Sequence, residues 1–261
     1  MRKVFEDETG EALIAESGIS PLAVSAGMPS TVSKNNRTVF STPNIGGFDN
    51  IDAASPIEEA VHLPAYISRD VCLQLICDLR RYNLGGDGFI PAFYIGTGLG
   101  NAISLKGEII TGKNGVAAEL GHIPMAGKND PCGCGNRGCA ELYASGRYLE
   151  KIRDAHFPDT DIKDIFIRHG EDPLIETFFT CAAMTIAAEI TILDPEMVVL
   201  GGGVIMQKGF PREKLERAIK HFTRKPYPSA NLEFVYSEES RQNGVTGAGI
   251  FGFQKTGRPP Q

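Results

Sequence analysis

Three of the six cysteines of this 261-residue chain fall in one glycine-rich stretch, GHIPMAGKNDPCGCGNRGCAE, at 121–141. His122, Cys132, Cys134 and Cys139 are spaced H-x9-C-x-C-x4-C, with glycines at 133, 135 and 138. Soft and borderline ligands in this number suit tetrahedral Zn²⁺, and the glycines let a short loop turn back until three sulfurs converge. Four protein ligands fill such a site, so the metal is expected to be structural; a catalytic zinc keeps one position for water or substrate. The alternative is a set of reduced surface thiols. Glu119 lies three residues before the histidine and Glu141 two after the last cysteine. Pinned by one ion, these carboxylates would stand in fixed relation and suit hydroxyl recognition, because carboxylates accept strong hydrogen bonds.

With 26 Lys and Arg against 32 Asp and Glu, the formal charge is −6. No basic run is long enough to track a phosphate backbone, which argues against a nucleic-acid partner. The opening MRKVFEDETGEALIAESG is charged throughout, unlike a secretory signal, and no later window offers about 18 uncharged apolar residues for a membrane span. A cytoplasmic protein without a membrane partner is expected, where thiols stay reduced. Cys72, Cys77 and Cys181, in VCLQLIC and FFTCAAM, read as small buried hydrophobes.

Short β-branched runs alternate with longer helical patterns, the mark of a layered α/β protein. LAVSA (22–26), PAYIS (64–68), FIPAFYI (89–95) and MVVLGGG (197–203) predict strands. Ile175, Phe178, Phe179, Ala182, Ile186 and Ile190 recur at helical spacing and predict a core helix from Pro173 to Leu193, stopped by Asp194-Pro195. Two further helices are expected over 211–222 and 245–253. The turn-rich NLGGDG (83–88) is the best seam, dividing the chain into 1–86 and 87–261.

Gly96-Thr97-Gly98-Leu99-Gly100 joins two strand-like runs. It reads either as a hairpin turn or as a cradle of N–H groups and a hydroxyl for a phosphate; it is neither a Walker A loop nor a dinucleotide fingerprint. Gly201, Gly202 and Gly203 end the strand MVVL, where open α/β sheets place ligands, and leave room for a flat ring or for a tight turn. Asp70 closes PAYISR and opens a helix containing Val71, Leu73, Leu75 and Ile76. It is a helix cap or a general base at a strand tip.

IGTGLG, GVAAELGH, CGCGNRGCAE and LDPEMVVLGGG, in that order and spacing, resemble the ROK (repressor, open reading frame, kinase) family from about Ala23 to Phe251. Within the family, SKNNRTVFSTPN, SRDV and ELGHIP are most similar to D-allose kinase. The resemblance implies an actin-like, ribonuclease-H-like two-lobed α/β sugar kinase fold, usually a homodimer. It implies ATP with Mg²⁺ and a hexose substrate whose hydroxyl, the 6-hydroxyl foremost, attacks the γ-phosphate. Asp70 would take the hydroxyl proton. Asn44, Glu119 and Glu141 would contact the sugar, and His122 would bind zinc beside it. Gly96, Thr97, Gly98 and Gly100 would approach the phosphates, and Gly201 to Gly203 would line the adenosine pocket. N-acetylhexosamine kinase, glucokinase and a sugar-sensing repressor without kinase activity are the alternatives.

The chain departs from the family pattern in three places, one of them Ser30, where many members have glycine. Ser68, Arg69 and Cys72 stand where many members have Glu, Asn and Asn. Arg69 is a fork-shaped donor expected to alter which sugar hydroxyls are met, and its charge is expected to hold the Asp70 carboxyl ionised. Family kinases also begin with a Gly-x-Asp-x-Gly-Gly-Thr hairpin, whereas this chain starts MRKVFEDETG. Either the true start lies upstream or the product is a shortened form; for the chain as written, an incomplete amino-terminal lobe and weak or no catalysis are expected.

Overall fold

The computed structural model describes residues 20–42, 47–238 and 242–257. The chain divides into two units, one of Met1–Cys77, Gly112–Val116 and Gln242–Gln261, the other of Asp78–Thr111 and Ala117–Arg241.

In the first unit, β1 (Val24–Met28) runs parallel to β5 (Ala65–Arg69), with Gly27 opposite Ser68 and Met28 opposite Arg69. β2 (Thr31–Val32), β3 (Thr38–Ser41) and β4 (Ile51–Asp52) form a small antiparallel sheet, and α1 (Ala54–Val61) follows. Val32, Val39, Ala54, Ile57, Ala65 and Ile67 make the core. Arg37 grips both Glu58 oxygens at 2.9 and 2.7 Å, and Glu58 Oε1 also accepts the Ala65 N–H at 3.1 Å. That fork ties the entry of β5 to α1 and so helps place what lies at the far end of the strand.

At that end α2 (Asp70–Arg81) begins, with Asp70 as its first residue. Leu73 of α2 packs against β1 and against α7 (Asn243–Lys255). A Cβ on Gly27 would lie 3.0 Å from the Leu73 side chain, and one on Gly247 would collide with the Leu73 carbonyl. These two glycines set the close approach of helix to strand and helix to helix.

The second unit centres on a five-stranded sheet of order β10-β9-β6-β7-β8. β6 (Phe89–Ile95), β7 (Leu99–Leu105) and β8 (Glu108–Ile109) form an antiparallel meander, while β9 (Val198–Gly201) and β10 (Phe234–Tyr236) add in parallel. β6 is central and buried from Ile90 onward, which explains its unbroken apolar sequence. Around the sheet lie α3 (Gly146–His156), α4 (Ile165–His169), α5 (Pro173–Leu193) and α6 (Arg212–Phe222).

α5 has the bounds that its periodicity predicts. Asp172 caps it, accepting the Leu174 N–H at 2.9 Å, with Pro173 at the first position, and Asp194 ends it at φ 47°. By length and composition it could cross a membrane, yet 61% of its most apolar window is buried inside the protein. Phe178 and Phe179 stack edge-on at 5.3 Å and meet Phe166 and Phe210.

The anticipated strands and helices are present, displaced by no more than two residues. Cys72, Cys77 and Cys181 are buried, as read. The seam is not at 86/87. It falls within α2, between Cys77 and Asp78, and the carboxy-terminal helix joins the first unit. NLGGDG instead lies inside the second unit, where the Gly88 N–H donates to Glu196 at 3.0 Å. Turn residues mark a bend in the chain; which core an element joins depends on packing.

Candidate functional site

The cysteine loop is a miniature hairpin. Pro131 bridges to Arg137 and Pro124 to Cys139, and the Cys132 N–H donates to the Asn136 carbonyl at 2.9 Å. Gly135 and Gly138 adopt φ of 94° and 71°, a backbone that side chains disfavour. This brings His122, Cys132, Cys134 and Cys139 together, with all four ligand atoms within 4.8 Å of one another. Cys132 Sγ lies 3.5 Å from His122 Nδ1 and Cys134 Sγ 3.6 Å from Cys139 Sγ. Ligand–ligand edges of about 3.5–3.8 Å are what Zn–S bonds of about 2.3 Å and Zn–N bonds of about 2.0 Å produce in a tetrahedron.

The electrostatics agree. Burial, then the neighbouring Cys132 and Cys134, pushes the Cys139 thiol up to about 12. Burial also raises Cys134, but the Asn136 amide and the other two thiols outweigh it and draw that group down. Three converging thiols resist ionising together unless a divalent cation compensates them. The donor set thus fits Zn²⁺, with no fifth protein ligand needed.

Two carboxylates flank the knot as the sequence placed them. Glu119 Oε2 stands 3.7 Å from His122 Nε2, beyond direct hydrogen bonding, while Cys132 meets the other ring nitrogen, Nδ1. Ala118 before it holds φ 63°, unusual for a residue with a side chain. Glu141 sits in the short helix that follows Cys139, and its Oε2 accepts the Leu99 N–H at 2.9 Å. A Cβ on Gly98 would collide with that carboxylate. One carboxylate thereby joins the knot to the glycine loop.

In that loop Gly96, Thr97 and Gly98 turn the β6–β7 hairpin, Ile95 facing Leu99. Gly100 is a strand residue opposite Tyr94. The Gly96 carbonyl accepts the Gly146 N–H at 2.7 Å and the Thr97 carbonyl that of Arg147 at 3.2 Å, so the start of α3 braces the turn from behind. Thr97 is exposed, and a Cβ on Gly96 would meet open space.

Gly201 and Gly202 have packing reasons. A Cβ on Gly201 would lie 2.8 Å from Ser237 and 3.0 Å from the Tyr94 ring; Gly202, at φ 94°, would press 2.5 Å from the Ile95 carbonyl. Gly203 continues the bend after β9.

In the first unit, Asp70 Oδ1 accepts the Val71 N–H at 2.8 Å. Its side chain is open to solvent, yet the protein around it desolvates the carboxyl and raises it above the ordinary range, against the lowering by the Val71 amide and Arg69. Arg69 acts in the expected direction, favouring the ionised carboxylate, but desolvation is the larger effect and the net shift is upward. Arg69 itself is buried at the end of β5. Asn44 lies outside the described residues.

Sequence reasoning missed the brace beneath the knot. Tyr143 donates to Asp130 Oδ2 at 2.8 Å while the Lys128 ammonium lies 4.6 Å from its ring centroid. It also missed Asp78, fully buried and accepting from Tyr94 at 2.8 Å and Ser237 at 2.9 Å beside Gly201. Neither belongs to a motif; an acid in the otherwise apolar LQLICDL was the one available signal.

Comparison with known proteins adds three findings. The profile of the ROK family matches residues 12–254. The glucokinase of Thermotoga maritima is 26% identical over 69% of this chain and 63% of its own length, and the N-acetyl-D-glucosamine kinase of Photobacterium profundum is 28% identical over 89% and 80%. A crystal structure of a ROK family transcriptional regulator, a homolog of the E. coli MLC protein, superposes with a TM-score of 0.81 at 24% identity, covering 98% of this chain and 68% of the other. Kinases and a regulator share this fold, so the fold alone does not decide between them.

Proposed function

Because this chain belongs to the ROK family, we propose that it transfers the γ-phosphoryl group of ATP to a hexose hydroxyl, the 6-hydroxyl of D-allose first, as a cytoplasmic homodimer. The names of its curated relatives bring glucose and N-acetylhexosamines into the same reading. Asp70 carries it. A carboxylate at a strand tip, opening a helix and raised above its ordinary range, is a better proton acceptor near neutral pH than an unperturbed one.

Asp70 accepts the hydroxyl proton as the oxygen attacks. Arg69, a fixed planar donor next to it, selects the configuration of the hydroxyls it meets. Glu119 and Glu141 orient the sugar, with Glu141 keeping its Leu99 bond so that the sugar and the glycine loop share one frame. Gly96 admits the phosphates closely because a Cβ there would meet only open space, while the Glu141 carboxylate stands against Gly98. Bound ATP supplies the transferable group, and Mg²⁺ offsets its charge. His122, Cys132, Cys134 and Cys139 would hold a Zn²⁺ ion, and that closed site would keep the two acids in place. Positioning and charge neutralisation do most of the catalysis in this class of reaction.

The test is a coupled assay of ATP-dependent phosphorylation on allose, glucose, N-acetylglucosamine and N-acetylmannosamine. Asp70→Asn should lower kcat by about 10²–10⁴-fold with sugar affinity retained. The acid limb of the wild-type pH profile should fall at a pH above the ordinary carboxylate range, since protonation removes the base. Sugar binding without phosphate transfer to any of the four would replace the kinase by a non-catalytic sugar-binding protein.

A further inference from the structure

We propose that Asp78, to which the reading above gives no role, is a positioning residue for the nucleotide: it fixes the two side chains packed against the glycine turn at 201–203. This rests on the kinase reading and deepens it. The carboxylate is fully buried, and each of its oxygens serves one hydroxyl, Oδ2 accepting from Tyr94 at 2.8 Å and Oδ1 from Ser237 at 2.9 Å. Burial pushes this carboxyl above its ordinary range, so the charged form is held at a cost. For stability alone, apolar groups of the same shape in place of acid and hydroxyls would serve about as well. What the acid supplies is direction.

Tyr94 is the side chain that needs directing. Across the sheet its register neighbours are Gly100 on β7 and Gly201 on β9, so neither offers a side chain to flank the ring on its own face. The ring leans over Gly201, where a Cβ would come 3.0 Å from it and 2.8 Å from Ser237. Ser237 is held by its backbone as well, its N–H donating to the Leu200 carbonyl at 2.9 Å, and the Glu238 N–H donates to Tyr82 Oη at 2.9 Å just beyond α2. The effect reaches both glycine turns. Ile95, the residue after Tyr94, accepts the Val204 N–H at 2.9 Å, and a Cβ on Gly202 would meet the same carbonyl at 2.5 Å. Gly96 then opens the β6–β7 turn. Asp78 therefore stands behind the turn proposed for the adenosine and next to the strand end that leads into the turn proposed for the phosphates. All of these residues belong to the second unit.

Calorimetric titration of the full-length protein with a non-hydrolysable ATP analogue and Mg²⁺, and separately with each of the four sugars above, tests this. Asp78→Leu should weaken the analogue roughly 10–100-fold, the scale on which a hydrogen bond to a charged group counts, with sugar affinity unchanged. Asp78→Asn can still accept one hydroxyl and should fall between. Tyr94→Phe should weaken the analogue too, yet add little to Asp78→Leu, because both remove one bond. Phe178→Ala, which loosens the same unit elsewhere, should leave nucleotide affinity unchanged. Circular dichroism fixes conditions under which every variant is folded. Folded Asp78→Asn and Tyr94→Phe that bind the analogue as the wild type does overturn the positioning role and spare the kinase. An equal loss in Phe178→Ala overturns it as well, since the acid would then serve only general stability. A wild type that binds a sugar but no nucleotide overturns both readings.

Discussion

The cysteine knot at 121–141 and the α5–β6 core belong to one unit, but different forces hold them. The core is apolar burial: Phe93, Phe178, Phe179, Ile186 and Ile190 are essentially inaccessible and in mutual contact. The knot has little of that. Cys134 is exposed, Ile123 is 48% exposed, and the path is defined by a few backbone bonds, three left-handed glycines and four converging His and Cys side chains. A region without enough apolar surface to offset its ordering entropy needs another source of stability, and a metal ion is an efficient one. Glu119 and Glu141, the proposed sugar contacts, sit on this region, so in the proposed kinase their placement would be only as rigid as the ion makes it.

The most severe test of this contrast is removal of the metal. A strong chelator should take out one Zn²⁺ per chain and raise amide exchange at Cys132, Gly135 and Gly138 more than about 10³-fold, a modest part of the ~10–16 kcal/mol that structural zinc contributes in small metal-held folds. Exchange in α5 should hardly change. Equal loosening of both regions, or no bound metal in the purified protein, would break the distinction.

Next comes the converse. Phe178→Ala should destabilise the unit by about 3–5 kcal/mol through lost burial and a residual cavity, read as a shift of the urea midpoint. Zinc content should stay at one per folded chain. Loss of metal from the folded variant would mean that the knot depends on the core more than its bonding indicates.

The third test uses pH, because the two regions respond in opposite senses. Glu189 of α5 is buried, and desolvation, only partly offset by the Asn101 amide at 2.9 Å, raises its carboxyl to about 7. Between the unfolded value near 4.5 and about 7 the folded chain holds a proton that the unfolded chain has lost, so core stability falls as pH rises through that window, by on the order of 2–3 kcal/mol. Glu189→Gln should remove this slope and stabilise the protein by a similar amount at pH 8, measured by denaturant midpoints at pH 5 and 8. Metal retention in the knot should instead improve with rising pH in both proteins, since thiolates bind zinc and thiols do not. A wild type whose core gains stability from pH 5 to 8 would contradict the assignment of Glu189.

What could be read without coordinates follows the range of the physics involved. α5 and α6 were legible because periodicity over many residues reports a buried face directly, and β6 and β9 because each is a short unbroken apolar run bounded by turn residues. β2, β4 and β8, two residues each, lie below the length at which any period exists, and α3 buries only Leu149 and Ile152, too few to announce a helix in GRYLEKIRDAH. The knot was legible because ligand type and spacing are local. The Glu141–Leu99 bond was not, since 42 residues separate its partners and nothing in either segment names the other.

The chain's own order of residues thus determined the element types, the Cys3His cluster and the strand-tip acid, all properties of neighbours along the backbone. Tertiary structure decided the rest: that the seam falls inside α2, that Glu141 braces the glycine loop, that Gly201 and Gly202 answer to packing, and that desolvation outweighs Arg69 at Asp70. Each of those depends on how much protein, and which, surrounds a group in space, and residues far apart in the chain supply that surrounding.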